Sequence, residues 1–567
     1  MFKIPYINKI NVTFEAQLSF MMEDARLTFP GFFAESVKEF SHRPAMSIVG
    51  EEPISYAGVA QKIQELMAWL EALGLKPGDK AAILSTSMPQ WGISYLAITF
   101  MGAIAVPILP DFHPAEVSNI LKHSGSRFIF VSDGLRLKLE EFEEEGEILK
   151  LRIEDFSLPH QSTNLPSLIP GAAPVNSYTV SPDDLAAIIY TSGTTGKSKG
   201  VMLTHRNICF TAIKCGRIQP VDETDRFLSV LPLSHTYENT IGLIFPLMFG
   251  ASIHYLGKAP SPSVLLPALK VVRPTVMLTV PLIMEKIFRT RIEPAFKKNF
   301  ALRLAIHIPF IRKKLNVVAG RKLMHTFGGE LKFFGIGGSK LNRTVEKFLI
   351  EARFPYSIGY GLTETAPLLA GARPFSQRLQ STGPAVEEVE LKIYNPDPVT
   401  GEGEIWVKGP NVMKGYYKEP GLTEEVITRD GWFRTGDLGV FDDKGYLYIK
   451  GRIKNMIVLS GGENVYPEEI ESIINNFRHV VDSLVLEKKG KLVALVHFNR
   501  DEIAARQHHL KHELKDYISA KVEELGQELK VYVNHRVNKF SQIQIVIVQQ
   551  IPFEKTATQK IKRYLYV

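Results

Sequence analysis

The residues best suited to chemistry lie between Tyr190 and Val201, YTSGTTGKSKGV, where an apolar strand pattern runs into hydroxyl side chains, glycines and lysines. Glycines let backbone N–H groups approach phosphate oxygens, hydroxyls add donors, and ammonium groups supply charge. Thr191, Ser192, Gly193, Thr194, Thr195, Gly196, Lys197 and Lys199 therefore form a candidate polyphosphate grip. A Walker loop fails on spacing: counted back from Gly196-Lys197-Ser198, its first glycine falls on Thr191. The plain alternative is a flexible Ser/Gly turn after a strand. Farther along, GLTET offers the Thr363 hydroxyl for a phosphate oxygen and Glu364 as a hard carboxylate ligand for Mg2+. A helix N-cap threonine followed by a first-turn acid reads the same way locally. Asp437, in the Gly-flanked turn RTGDLG, is an acceptor suited to a pair of sugar hydroxyls, or a turn-forming aspartate.

Such groups need rigid edges to hang from. From about Pro30 to Val180, apolar runs (AMSIV, AAILS, AVPIL, RFIFVS) alternate with helical patterns such as YAGVAQKIQELMAWLEALG, the pattern of parallel α/β units. The rhythm resumes at LAAIIY and continues to about Leu369, and a β-richer stretch follows with VELKIYN, GEIWVKG and YLYIKG. After Arg452 the pattern predicts a smaller α+β unit: helix PEEIESIINNF, strands DSLVLEKKGKLVALVHF, a charged helical run and strand QIVIVQ. RIKN, Arg452 to Asn455, joins the parts without the Pro or Ser content of a long tether, so relative motion would be a swivel about a few bonds.

Composition sets the outer limits. At 567 residues, 45% apolar and 22% charged, the chain is long enough for more than one domain and is not disordered or fibrous. A net charge of +7 is modest for this length: it argues against nucleic acid as a partner and suits anionic small molecules or an acidic membrane surface. Cys209 and Cys215 make neither a disulfide framework nor a zinc site, which favours a reducing cytoplasm. The N-terminal MFKIPYINKINVTFEAQLSF lacks the apolar core and cleavage site of a signal peptide. Ala81 to Pro110 carries no charge, but Pro89, Gln90, Pro107 and Pro110 interrupt it. The stretch reads as strand AAILS, buried helix QWGISYLAITFMGAIA and strand VPIL rather than a membrane span.

The phosphate-suited loop resembles that of the adenylate-forming superfamily of acyl-CoA synthetases, luciferases and peptide-synthetase adenylation domains. The resemblance recurs in order along the chain, in PLSH (Pro232 to His235), GIGGSKL (Gly335 to Leu341), GYGLTETAP (Gly359 to Pro367), GWFRTGDLG (Gly431 to Gly439), GRIKN (Gly451 to Asn455), GGENVYPEEIE (Gly461 to Glu471) and KTATQKIKR (Lys555 to Arg563). It implies an α/β fold: a large N-terminal domain, residues 1–451, of two α/β subdomains and a small β-barrel-like subdomain, a hinge at 452–455, and a smaller mobile α+β domain at 456–567. It implies ATP, Mg2+ and coenzyme A as the small molecules handled. Tyr360 and Gly361 would border the adenine, with Gly337, Gly338 and Ser339 on its other side; an aromatic core residue is the alternative for Tyr360. Asp437 would hold the ribose with help from Arg452. Lys560 would bridge the acid's carboxylate and the α-phosphate. Gln559 stands where glycine commonly precedes that lysine, so the turn is less permissive. Lys454 occupies the hinge position, from which rotation would withdraw Lys560 and present Gly461 to Tyr466 to the thiol.

For the acid, His235 matches a residue that lies beside the acid pocket in relatives, a buried and satisfied histidine being the alternative. Tyr237 follows it closely, but polar Asn239 leaves an aromatic gate unassigned. The stretch from Lys286 to Lys322 resembles the insertion of long-chain fatty acid ligases. It carries eleven Lys or Arg against one acid, Glu293, a local excess of +10 that exceeds the whole chain's +7. A basic amphipathic segment of this kind suits peripheral contact with anionic lipid at the inner face of the membrane, and a solvated helical face is the plain reading. The expected activity is ATP-dependent conversion of a carboxylic acid, a long-chain fatty acid first among candidates, to acyl-AMP and then acyl-CoA. An acyl-AMP or acyl-carrier-protein ligase is the near alternative, and a non-catalytic lipid or nucleotide binder the distant one. No carrier domain follows Lys560 before Val567, and intact Lys560, Glu364 and Asp437 argue against a decayed site.

Overall fold

The computed structural model describes residues 18–19, 21–140, 148–158, 168–192, 198–297, 300–459, 464–504, 513–556 and 560–566. Within it the alternating runs fold into two large sheets. The first has eight strands in the order Leu368–Gly371, Tyr356–Gly361, Phe333–Ile336, Val276–Thr279, Arg226–Ser229, Ser252–Tyr255, Pro44–Ile48 and Ile54–Ser55. Its interior pairs are parallel, and the outermost strand at each end runs antiparallel. The second has seven, ordered Gly415–Tyr416, Ser198–Thr204, Leu185–Ser192, Ile104–Ile108, Lys80–Leu84, Phe128–Val131 and Leu149–Arg152. Central parallel strands covered on both faces must be apolar throughout, and Ala81 to Leu84 and Ala105 to Val106 are fully buried.

The charge-free segment is interior. Helix Pro89–Phe100 buries Trp91, Tyr95, Leu96 and Ile98 completely, because a helix apolar all round must be enclosed on all sides. It stops earlier than the sequence pattern predicts: Gly102 takes a left-handed turn at φ +68, and the next strand already begins at Ile104. Among the described residues no helix is long and apolar enough to cross a membrane. Residues of both sheets and of helices Phe29–Phe40, Tyr56–Ala72 and His205–Ile218 share this core.

The β-rich stretch is a four-stranded antiparallel sheet, Glu390–Tyr394, Gly403–Lys408, Phe433–Phe441 and Leu447–Arg452. The last strand passes through a short turn, Ile453–Asn455, into a unit with its own apolar core drawn from helices Pro467–Ile474 and Glu513–Asn534 and a three-stranded sheet, Val480–Lys488, Lys491–Phe498 and Ile545–Gln549.

The helix that follows the phosphate-suited segment starts from an N-terminus with matched partners. Thr204 Oγ1 accepts from the Asn207 N–H at 3.1 Å, and Asn207 Oδ1 accepts from the Thr204 N–H at 2.8 Å. Its first residue, His205, is fully buried and accepts the Phe29 N–H on Nδ1 at 3.2 Å. Burial pushes this imidazole down to about 3. The native state therefore holds His205 neutral, and only the unfolded chain takes up its proton below the ordinary value near 6.5. This contribution to stability is complete above that pH and shrinks as the pH falls. Lowering the pH from 7 to 5 should remove about 2 kcal/mol through His205 alone. The stability difference between wild type and His205→Gln in urea unfolding should narrow by that amount, and a difference independent of pH contradicts the assignment.

Candidate functional site

A deep cleft separates the edges of the two large sheets from the C-terminal unit, and residues far apart in sequence meet in it. Thr191, Lys199 and His235 line it from one side, Gly337, Gly338 and Ser339 from the end of strand Phe333–Ile336, and Tyr360, Gly361, Thr363 and Glu364 from the end of strand Tyr356–Gly361. Asp437, Arg452, Lys454 and Lys560 complete the lining. Ligand sites outside the carboxyl ends of parallel strands are the rule for sheets of this type. Gly193, Thr194, Thr195, Gly196 and Lys197 lie outside the described residues, as do Gly461 to Glu463 and Gln559. The strands flanking the first of these gaps pair Thr191 with Lys199 and Ser192 with Ser198.

Asp437 is the most constrained member. It is 4% exposed, and its carboxylate accepts from Arg452 Nε at 2.9 Å on one oxygen and from the Tyr360 hydroxyl at 2.8 Å on the other. The strand register places Asp437 directly opposite Arg452, which makes the pair a property of the sheet. Burial raises the acid's pKa, and Arg452 and Tyr360 pull it back. The strong hold of Asp437 on Arg452 raises the guanidinium's pKa in turn. Each carboxylate oxygen retains a lone pair for a further donor. The close fit extends to Gly361, where a Cβ would stand 1.6 Å from the Pro367 carbonyl oxygen, so only glycine fits that bend.

Thr363 opens a short turn, Thr363–Thr365, but the capping role falls to Thr365, whose hydroxyl accepts from the Leu362 N–H at 3.0 Å. Thr363 instead faces the cleft. Glu364 receives a 2.9 Å hydrogen bond from the Tyr416 hydroxyl, and its backbone carbonyl accepts from the Met413 N–H at 2.8 Å. Lys199 places its ammonium 5.0 Å from the centre of the same Tyr416 ring. Tyr416 is buried in the edge strand of the second sheet and pairs with Val201, so one side chain fixes the Mg2+-suited acid and a lysine of the phosphate-suited segment together. Burial first, then the charge of Glu364, raises its phenol above the usual range. Among the described residues no three acids, histidines or cysteines cluster to hold a metal by themselves. Glu364 nevertheless fits Mg2+, which takes one or two protein carboxylates when a polyphosphate supplies the other ligands.

Lys560 enters the cleft from a short bridge between Lys555 and Ile561. It is accessible through the open cleft, and enclosure by the cleft walls together with Arg452 lowers its pKa while Asp437 and Glu364 oppose the shift. His235 accepts the Tyr237 N–H on Nδ1 at 3.3 Å, and burial plus the charge of Lys560 push the imidazole down to about 4. It is a neutral group beside a cation.

Beyond Tyr237 lies a small apolar cavity of about 40 Å3, lined chiefly by Ile218, Ile241, Phe245, Val276, Leu278 and Phe333, with no charged residue among the described ones. It shares Tyr237, Gly359 and Leu368 with the cleft. Tyr237 lies flat on the backbone there: a Cβ on Gly335 would meet its hydroxyl at 2.8 Å, and one on Gly337 its ring at 3.1 Å. Asn239 does not face this wall; it is wholly buried in the π-helical segment Glu238–Ile244. The apolar helix after His235 is expected from the sequence to line an acyl channel, and its Ile241 and Phe245 do line the cavity; Tyr416 escaped the sequence reading, because nothing in GYYKEP announces a partner 52 positions upstream.

The chain resembles known proteins along most of its length. A family profile described as AMP-binding enzyme matches residues 33–417. The chain is similar to 4-coumarate–CoA ligase 2 of Solanum tuberosum, 27% identical with 84% of each chain covered. It is also similar to the long-chain-fatty-acid–CoA ligase heimdall of Drosophila melanogaster, 26% identical over 81% of this chain and 74% of that one. Among solved structures, the o-succinylbenzoate CoA synthetase of Bacillus subtilis in complex with ATP and magnesium superposes with a TM-score of 0.73 at 24% identity, covering 94% of this chain and 98% of that one, which shows the shared fold.

Tyr416→Phe keeps the ring under Lys199 and deletes the hydroxyl bond to Glu364. Hydrogen bonds to charged groups contribute about 1.5–3 kcal/mol, so the Mg2+ concentration needed for half-maximal ATP binding should rise by roughly tenfold in calorimetric titrations. An unchanged Mg2+ requirement contradicts the positioning role, and a lowered thermal midpoint without a Mg2+ effect reduces Tyr416 to packing.

Proposed function

Since this chain belongs to the AMP-binding enzyme family, we propose that it is an AMP-forming acid:CoA ligase acting on an acid with an elongated apolar body, a long-chain fatty acid in the first instance. The observation that carries the reading is the meeting of Lys560, Glu364, the Asp437–Arg452 pair and His235 in one cleft that adjoins an uncharged cavity.

In the first half-reaction a carboxylate oxygen attacks the α-phosphorus of ATP, a new O–P bond forms, and the bond to pyrophosphate breaks. Two anions must be brought into line. Lys560 stands between the carboxylate and the α-phosphate and offsets the charge that gathers there. Arg452 and Tyr360 hold Asp437 as an acceptor for the ribose hydroxyls. Lys199, Thr191 and the residues of 192–197 grip the outer phosphates. Glu364 would hold Mg2+, which would supply further neutralisation of the polyphosphate. Neutral His235 borders the acid without adding charge that would trap the carboxylate in its ground state.

In the second half-reaction the thiol of coenzyme A loses its proton to solvent and its sulfur attacks the acyl carbon; an S–C bond forms, the bond from the acyl carbon to the phosphate oxygen breaks, and AMP leaves carrying that oxygen. The 452–455 segment is the hinge, with Lys454 on it, about which the C-terminal unit turns to withdraw Lys560 between the two steps.

The uncharged cavity and the basic insertion support an aliphatic chain. A second reading, an aryl acrylate, is favoured by the 4-coumarate–CoA ligases among the relatives. Supplying MgATP, coenzyme A and a graded series of acids separates the two. Each methylene that gains burial against the apolar wall is worth about 0.8 kcal/mol, so kcat/KM should rise by up to about fourfold per methylene as the aliphatic chain lengthens. Preference for 4-coumarate over every aliphatic acid overturns the fatty-acid assignment and leaves the ligase assignment standing. Lys560→Ala should lower acyl-AMP formation by at least about a hundredfold while leaving thioester formation from supplied acyl-AMP near wild type. Equal loss of both steps contradicts the two-orientation scheme.

A further inference from the structure

The basic insertion is built as helices Glu293–Lys297, Phe300–Ala305 and Pro309–Thr326. The last packs on one side only. Gly320 comes so close to the end of helix Arg343–Glu351 that a Cβ would lie 2.5 Å from the Ala352 carbonyl oxygen. On the same side Asn316 and Leu323 are buried, and Arg312 pairs with Glu351 at 2.9 Å.

The solvent side of this helix carries Lys313, Lys314, Arg321 and Lys322, while the exposed surface just ahead of it and at its first turn is apolar where a surface is ordinarily polar. Phe300 is 75% exposed, Leu304 57%, Ile308 51% and Phe310 66%, all within eleven consecutive positions. Cations are threaded among them. Arg303, Lys313, Lys314, Arg321 and Lys322 are exposed, Lys314 lies 4.4 Å over the Phe310 ring, and residues 300–322 contain no acid. Scattered exposed apolar residues are ordinary, but a contiguous set rimmed by one sign of charge marks a binding surface.

We propose that this face, centred on Phe300, Leu304, Ile308 and Phe310 with Lys313 and Lys314, docks on an anionic lipid bilayer. Charge complementarity selects an anionic partner. The protruding aliphatic side chains select among anionic partners, since Leu304 and Ile308 gain nothing from a phosphate backbone in water and gain burial at the acyl boundary of a membrane. The position adds to the argument: Arg303, Pro294 and Ala295 of the same insertion line the rim of the cleft, so docking brings the cleft mouth next to the lipid. The inference rests on surface chemistry and stands whichever acid the cleft accepts.

Cosedimentation of the full chain with vesicles tests it, using phosphatidylcholine alone and phosphatidylcholine with phosphatidylglycerol. The bound fraction should require the anionic lipid and fall with added salt. Reversing two cations near such a surface removes at least about 2 kcal/mol, so Lys313→Glu with Lys314→Glu should weaken partitioning roughly thirtyfold or more. Leu304→Ser with Phe310→Ser should weaken it independently at constant charge. Both pairs lie on the surface, and an unchanged thermal midpoint confirms that they fold. Equal binding to neutral vesicles, absence of binding to either kind, or variants that bind like wild type each overturn the proposal, the second also if an acidic protein is bound instead.

Discussion

The site depends on a buried carboxylate that must not be left alone. Asp437 is nearly inaccessible, and an unpaired charge there would be strongly destabilising. Its two partners come from different parts of the chain: Tyr360 from the eight-stranded sheet, and Arg452 from the strand that leads into the C-terminal unit. Satisfying one acid therefore fixes the four-stranded sheet against the large sheet and sets where the last turn of the N-terminal part begins. Lys560 feels the same acid from across the cleft, so the electrostatics of both units meet at this point.

Around that anchor the cleft arranges charge by function. Lys199, Arg452 and Lys560 line it where a nucleotide polyanion would lie, and Glu364 sits among them held by a tyrosine. Toward the apolar cavity the charge vanishes: neutral His235 and Tyr237 stand at a wall beyond which the lining is apolar. The proposed substrate, a carboxylate with an apolar tail, has opposite needs at its two ends, and Tyr237 stands between the two kinds of lining.

Much of this was legible in the sequence for a simple reason. Parallel strands buried on both faces leave unbroken apolar runs, and tight backbone approaches leave glycines, so AAILS, LAAIIY, GIGG and GYG each carry their structure locally. The charge-free segment was readable as interior because its prolines bracket the helix, although the helix end was set by Gly102 rather than by hydrophobicity. What was not legible is pairing over distance. The antiparallel edges of the large sheets, the seat of Tyr416 against Glu364 and Lys199, and the contact of Tyr237 with Gly335 arise from tertiary packing that no local pattern encodes. Sequence also placed the exposed apolar residues of the insertion on a helix without revealing which side Gly320 would press inward.

The proposed chemistry forms an acyl-adenylate before any thiol is needed. Exchange of labelled pyrophosphate into ATP, followed with acid present and coenzyme A omitted, tests that step alone because it requires reversible attack at the α-phosphorus. Exchange should depend strictly on the acid and on Mg2+ and should proceed without coenzyme A. Exchange that is absent until coenzyme A is added, or conversion of ATP to ADP and phosphate in its place, would contradict it.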